Sequence, residues 1–168
     1  MKRLTAIAGA CAALTGAVLA TAAPVLADPP TKPYPDISRY AKLDFEGFQI
    51  AGKPGVWFSS PTGLNCGIWD DGSYGCTGAI PGSPAGTNQI GWFSGDSGAP
   101  HFDNTGQPRF VSGGPQKVLP ANNYIEYKGV DCATTPANGV YCRGGSYGYS
   151  DSQFLVSPAG SWTGSPNS

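Results

Sequence analysis

At 168 residues, with 10 basic and 11 acidic side chains, the chain has the length of one ordinary domain and is close to neutral. Charged residues make up 12% of it, about half the usual share, and no basic run supplies the footprint that nucleic-acid binding requires. Solubility therefore rests on Ser, Thr, Asn and Gln, a habit of exported proteins.

Residues 1–27 read as a signal peptide. Lys2 and Arg3 give a positive start, an Ala/Leu/Val-rich run follows, and Val25-Leu26-Ala27 presents small or moderate side chains where a signal peptidase cuts. The run is long enough to span a bilayer, so a retained anchor is the alternative. Its weak Ala/Gly hydrophobicity and small-residue end favour cleavage after Ala27. Cys11 leaves with the signal, because Ala8-Gly9-Ala10 before it lacks the leucine of a lipidation site. Removal leaves 141 residues from Asp28 onward, with 8 basic against 11 acidic side chains and no later stretch able to cross a bilayer.

Residues 28–44 read as a Pro-rich N-terminal tail, extended through Asp28–Pro35, with a short helix over 37–43 (ISRYAKL). From 45 to 158 the apolar runs are brief and separated by Gly, Pro, Asn and Asp. Strands are expected at 45–51, 55–60, 64–69, 73–78, 89–94, 100–102, 109–114, 124–130, 139–144 and 153–158. That spacing argues for an all-β sandwich or barrel. No segment after residue 45 sustains a helical period. Residues 159–168, rich in Ser, Gly and Pro, read as a flexible C-terminal tail.

Four cysteines remain in the mature chain: Cys66, Cys76, Cys132 and Cys142. An even count in an exported chain implies two disulfides, and spacing alone leaves three pairings open. A local repeat narrows the choice. "GLNCGIWDDGSYGCTG" and "GVDCATTPANGVYCRG" share one pattern at an offset of 66 residues, and Phe58 falls in step with Tyr124. A three-residue loop Asp70-Asp71-Gly72, with Gly72 left-handed, puts Trp69 opposite Ser73 and hence Cys66 opposite Cys76. A loop Pro136-Ala137-Asn138, with Asn138 left-handed, puts Cys132 opposite Cys142. Both pairs fall on non-hydrogen-bonded sites, where Cα atoms approach closely enough for a bridge. The expected bridges are Cys66–Cys76 and Cys132–Cys142, in two hairpin-centred pseudo-repeats. Structural zinc, which favours cysteines two to four residues apart, is disfavoured by the nine-residue gaps.

The ordered features Phe58, Ser60-Pro61-Thr62-Gly63, Cys66-Gly67-Ile68, Cys76, Gly95-Asp96, Val118-Leu119-Pro120, Cys132, Gly139-Val140-Tyr141-Cys142, Gly148-Tyr149 and Phe154 together resemble a family. It comprises small exported actinobacterial proteins, of the mycobacterial type, without an assigned activity. The resemblance runs from Phe58 to Pro158 and implies export and hairpin disulfides. It brings no catalytic residue. The chain departs from the pattern in lacking further cysteines, and Tyr147 stands where a histidine is often found.

One motif points elsewhere. Residues 91–114, GWFSGDSGAPHFDNTGQPRFVSGG, are similar to the turn that carries the nucleophilic serine of chymotrypsin-like proteases, with Ser97 in that place and the N–H groups of Gly95 and Ser97 as an oxyanion hole. A serine needs a base to take its proton. The sole histidine, His101, follows Ser97 by four residues, roughly 13 Å if extended. Pro100 and Gly98 oppose the helical turn that would join them. Lys53, Lys117 and Lys128 lie in no serine–lysine motif. The segment therefore reads as a turn in which Asp96 accepts backbone N–H bonds, and Ser97 is the nucleophile only if the protein is an enzyme. Asp70-Asp71-Gly72 and residues 102–107 lack the spaced carboxylates of a calcium loop.

The expected function is that of a secreted or envelope-associated, non-catalytic binding module for an envelope, glycan or protein partner, with no metal and no cofactor. A serine hydrolase and a structural envelope protein are the alternatives. Among its aromatics, Trp69, Tyr147 and Tyr149 are the candidate ligand contacts, since flat rings suit sugars and partner surfaces.

Overall fold

A computed structural model describes residues 34–144 and 152–164. The expected signal segment, Tyr147 and Tyr149 lie outside the described residues. The strands are β1 (Ala41–Lys42), β2 (Val56–Ser59), β3 (Asn65–Ile68), β4 (Tyr74–Thr77), β5 (Gln89–Trp92), β6 (His101–Asp103), β7 (Lys117–Val118), β8 (Asn123–Tyr127), β9 (Val130–Thr134), β10 (Val140–Gly144), β11 (Gln153–Ser157) and β12 (Gly160–Thr163). They form two six-stranded sheets with the orders β6-β5-β4-β3-β2-β7 and β1-β8-β9-β10-β11-β12, packed as a sandwich rather than closed as a barrel. The chain is all-β. Among the described residues no helix is long and apolar enough to cross a membrane.

Both hairpin registers follow from their turns. Gly72 has φ +84°, Trp69 N–H donates to the Ser73 carbonyl at 2.8 Å, and Cys66 faces Cys76. Asn138 has φ +61°, Thr135 N–H donates to the Gly139 carbonyl at 2.8 Å, and Cys132 faces Cys142. The bridges are Cys66–Cys76 and Cys132–Cys142, with Cα atoms 4.0 and 4.1 Å apart. All four cysteines are fully buried in one cluster between the sheets, with Phe58, Ile68 and Ile90 from one and Ile125, Val140 and Phe154 from the other.

The pseudo-repeat is a four-stranded meander in each sheet, β2–β5 and β8–β11. The second and third strands of each keep the 66-residue offset, but the first are shifted to 67: Phe58 faces Cys66 as Ile125 faces Cys132, and Tyr124, expected in step with Phe58, faces Ala133 in the outer cluster instead. The fourth do not keep the offset, because the connection over 78–88 is longer than that over 145–152. The strands leading into the two meanders are exchanged: β1 precedes the first but pairs in parallel with β8, and β7 precedes the second but pairs in parallel with β2.

Four of the expected segments differ in the structure, and β7 falls where no strand is expected. Residues 37–43 form a turn and then β1 rather than a helix. Asp36 accepts the Ser38 N–H at 3.0 Å, and Ile37 is buried on the outer face of the second sheet with Ala133, Tyr141 and Leu155. Phe45–Phe48 is a 3-10 helix instead of a strand, started by Asp44 accepting the Glu46 N–H. Of the expected tail 159–168, the described residues 159–164 are not simply a tail, because Gly160–Thr163 pairs with β11 and Trp162 packs on Tyr141 at 6.3 Å.

The fourth is 109–114, which forms no strand because side chains take its N–H groups. Arg109 N–H donates to Gln89 Oε1 at 2.9 Å, and Ser112 N–H to Gln116 Oε1 at 2.9 Å. This hangs Phe110 over the outer face of the first sheet, where Gly67, Gly75 and Gly91 lie side by side. A Cβ on Gly75 would stand 2.4 Å from the Phe110 ring and 2.3 Å from the Ile90 carbonyl oxygen. Only a glycine fits beneath that ring. Gly75→Ala is therefore expected to cost about 1–3 kcal/mol, as overpacking does. Urea unfolding of the oxidised protein checks it, and an unchanged midpoint contradicts the packing.

Candidate functional site

Four connections meet at one end of the sandwich: the β3–β4 turn, the β5–β6 loop, the β8–β9 turn, and the ends of the β10–β11 connection at Gly144 and Ser152. Between them lies a cleft of about 480 Å³, lined by Asp71, Gly72, Tyr74, Trp92, Asp96, Ser97, Gly98, Lys128, Val130, Gly144 and Ser152. That volume is within the range of small-molecule sites.

The floor is aromatic and fixed. Tyr74 and Trp92 face each other across the β4–β5 ladder, with centroids 6.1 Å apart and planes inclined by 26°. Tyr74 also stacks on Phe154 of the opposite sheet at 5.9 Å, and its hydroxyl donates to the Ser152 carbonyl. Gly144 lets that ring pass, since a Cβ there would lie 2.6 Å from it. The rim is tied across the two sheets. Tyr127 Oη donates to Asp70 Oδ1 at 2.7 Å, joining the β8–β9 and β3–β4 turns. Ser94 N–H donates to Ser73 Oγ at 2.9 Å, joining the β5–β6 loop to the same turn. Lys128 and Gly129, with φ +51° and +76°, make the two-residue turn that suits a hairpin's twist.

Ser97 lines this cleft and is exposed. The segment around it is the expected turn: Asp96 N–H donates to the Phe93 carbonyl at 2.9 Å, and Asp96 Oδ2 accepts the Phe93 N–H at 3.0 Å. His101 stands opposite Gly91, on the outer side of its ladder, with Nδ1 3.6 Å from Asp96 Oδ2 and its ring 5.9 Å from that of Phe93. It does not line the cleft. Among the described residues no side chain hydrogen-bonds Ser97 Oγ. Lys128 does line the cleft.

The sequence-predicted aromatics divide. Trp69 lies on the outer face of the first sheet, packed on Phe110 at 5.4 Å and Phe93 at 6.0 Å, away from the cleft. Tyr147 and Tyr149 are outside the described residues, between two cleft-lining positions in the chain. The rings that line the cleft are those of Trp92 and Tyr74, of which Trp92 is the more exposed. The signal for Trp92 was the alternation in QIGW, which puts Ile90 and Trp92 on the inner face, with Trp92 at the strand end where the core runs out. Asp70 and Asp71 serve their turns, Asp71 Oδ1 accepting the Ser73 N–H at 2.9 Å. Among the described residues no three His, Cys, Asp or Glu side chains are grouped to hold a metal ion. Compared with protein-family profiles, curated proteins and solved structures, the chain matches none.

Burial governs the phenols. It pushes Tyr74 well above the ordinary tyrosine range, bonds to Gly144 and Ser152 offsetting only part of the effect. It pushes Tyr141, whose hydroxyl bonds Gln153 Oε1 at 2.5 Å, up to about 12 from 10.0. Below pH 10 both phenols are protonated whether the chain is folded or not. Above it the unfolded chain loses protons that the folded one keeps, so stability falls with rising pH, by about 1.4 kcal/mol per unit for each such tyrosine. Urea midpoints are expected to be flat from these groups up to pH 10 and to decline between pH 10 and 12, with Tyr141→Phe removing about half of the decline. A wild-type midpoint unchanged to pH 12 contradicts the burial.

Proposed function

We propose that the protein is exported and acts, without catalysis, as a binding module of the cell envelope or its surroundings, taking its ligand in the cleft beside Trp92. The observation that carries this reading is the cleft itself: a fixed aromatic floor beneath a polar rim whose turns are bonded across the two sheets. Few convergent polar groups over an apolar floor are the usual composition of a ligand site. Export is supported by the signal-like N-terminus, by both cysteine pairs being bridged, and by the resemblance to small exported actinobacterial proteins. In this reading no cofactor takes part. Affinity capture from envelope extract and culture medium tests it. Oxidised mature protein is expected to retain material that Trp92→Ala and the reduced protein do not. Retention independent of Trp92, or none, contradicts the site.

A second reading, a serine hydrolase, is favoured by one observation, that Ser97 and Lys128 line the same cleft. The absence of any bond to Ser97 Oγ among the described residues weighs against it, because an unactivated serine is a poor nucleophile. Incubation with an activated fluorophosphonate is expected to give no mass increase. An adduct that Ser97→Ala abolishes would replace the binding reading with the hydrolytic one.

A further inference from the structure

The lining of the cleft narrows the ligand's chemistry. Asp71 and Asp96 are each held by one oxygen to their own turn, Asp71 Oδ1 by the Ser73 N–H and Asp96 Oδ2 by the Phe93 N–H. Among the described residues, Asp71 Oδ2 and Asp96 Oδ1 have no partner. Two charged acceptors are thus presented at fixed places, and hydrogen bonds to charged groups are the stronger kind. Lys128, the third charged side chain of the described lining, forms no ion pair among the described residues; its ammonium stands over the Tyr127 ring at the rim, 5.5 Å from the centroid, and its backbone is locked in the β8–β9 turn. It supplies donors. The hydroxyls of Ser97 and Ser152 serve as either, Ser152 Oγ making, among the described residues, only a long bond, 3.5 Å, to the Gly98 carbonyl. Beneath these groups lies the Trp92 ring, held against Tyr74.

Charge separates the ligand classes. An anion faces two carboxylates. A cation gains from those carboxylates and from the indole but meets the Lys128 ammonium at the rim, over the Tyr127 ring. A neutral ring bearing many hydroxyls uses all three charged groups without repulsion: hydroxyls donate to Asp71 and Asp96, accept from Lys128, and leave a flat apolar face for the indole. We infer that the cleft binds a neutral saccharide, with Trp92 as its stacking surface and Asp71 and Asp96 as its hydroxyl acceptors. This rests on the cleft being a binding site, as proposed above, and adds the class of ligand.

Titration of the oxidised mature protein at pH 7, followed by tryptophan fluorescence and calorimetry, tests it. The probes are neutral tetrasaccharides of glucose, of mannose and of N-acetylglucosamine, the cationic glucosamine tetramer, and an anionic uronate tetramer. At least one neutral probe is expected to bind, and both charged probes to bind more weakly than it does. Trp92→Ala is expected to abolish that binding. Asp71→Asn keeps an oxygen for the Ser73 N–H but puts a donor where the acceptor was, and is expected to weaken binding about tenfold. As an exposed turn substitution it also serves should Trp92→Ala disturb the fold. No binding by any neutral probe, tighter binding by a charged one, or affinity unchanged in Asp71→Asn overturns the assignment. Trp92-dependent capture of envelope material with no neutral probe bound would remove the saccharide and leave the binding module standing.

Discussion

Each disulfide of this protein joins a hairpin to itself, and both sit fully buried at the centre of the interface between the sheets. In the chain-entropy account, a bridge closing so short a loop stabilises by about 3 kcal/mol. Against the 5–15 kcal/mol typical of a whole domain, roughly, two of them are a large share. Their second effect is on register. A slip by one residue would turn every inward side chain out to solvent, and a bridge between directly opposed residues forbids the slip. Most of the strands here have four residues or fewer, too short to fix register by ladder bonds alone, so that constraint carries unusual weight.

The remaining structure builds outward from these two pinned ribbons. Each meander accepts a two-residue parallel strand from the segment leading into the other, so neither sheet is complete without the opposite half of the chain. Pinned registers also align Gly67, Gly75 and Gly91 into the shelf beneath Phe110, and set Tyr74 opposite Trp92 at the end that opens as the cleft. There the bonds from Tyr127 to Asp70, from Ser94 to Ser73, and from Tyr74 to Ser152 hold the rim. In the proposed binding role, a rim that is already fixed has less freedom to lose when a ligand enters. The site is therefore a consequence of hairpin register on both sides of the core.

What could be read in the sequence was local. Gly72 and Asn138 each mark a left-handed turn position, and a turn of known length dictates every pair behind it, including Cys66–Cys76 and Cys132–Cys142. The alternation that gives most strands is local too. What escaped depends on partners far along the chain. β1 and β7 are two residues long and exist only because β8 and β2 offer free edges. Residues 109–114 have the composition of a strand, but Gln89 and Gln116 take N–H groups that a ladder would need. Trp162 is held by Tyr141 and by Tyr34, 4.7 Å from it at the other end of the described chain, so a Ser/Gly/Pro-rich terminus becomes a strand. Trp69 and Trp92 look alike in sequence. Only the sheet decides that Trp69 joins the outer cluster with Phe110 while Trp92 floors a cleft assembled from four separate connections. Ser97 was legible as a turn, since Gly95, Asp96 and Gly98 suffice for one, but its place on the cleft was not.

The most direct test is to map the bridges. The protein, alkylated in denaturant without reductant and digested with chymotrypsin, is predicted to give one linked peptide pair containing Cys66 with Cys76 and another containing Cys132 with Cys142, with no alkylated thiol among the four. A bridge from either of the first two cysteines to either of the last two, or a free thiol at any of them, would contradict the hairpin registers and with them the shelf, the rim and the cleft.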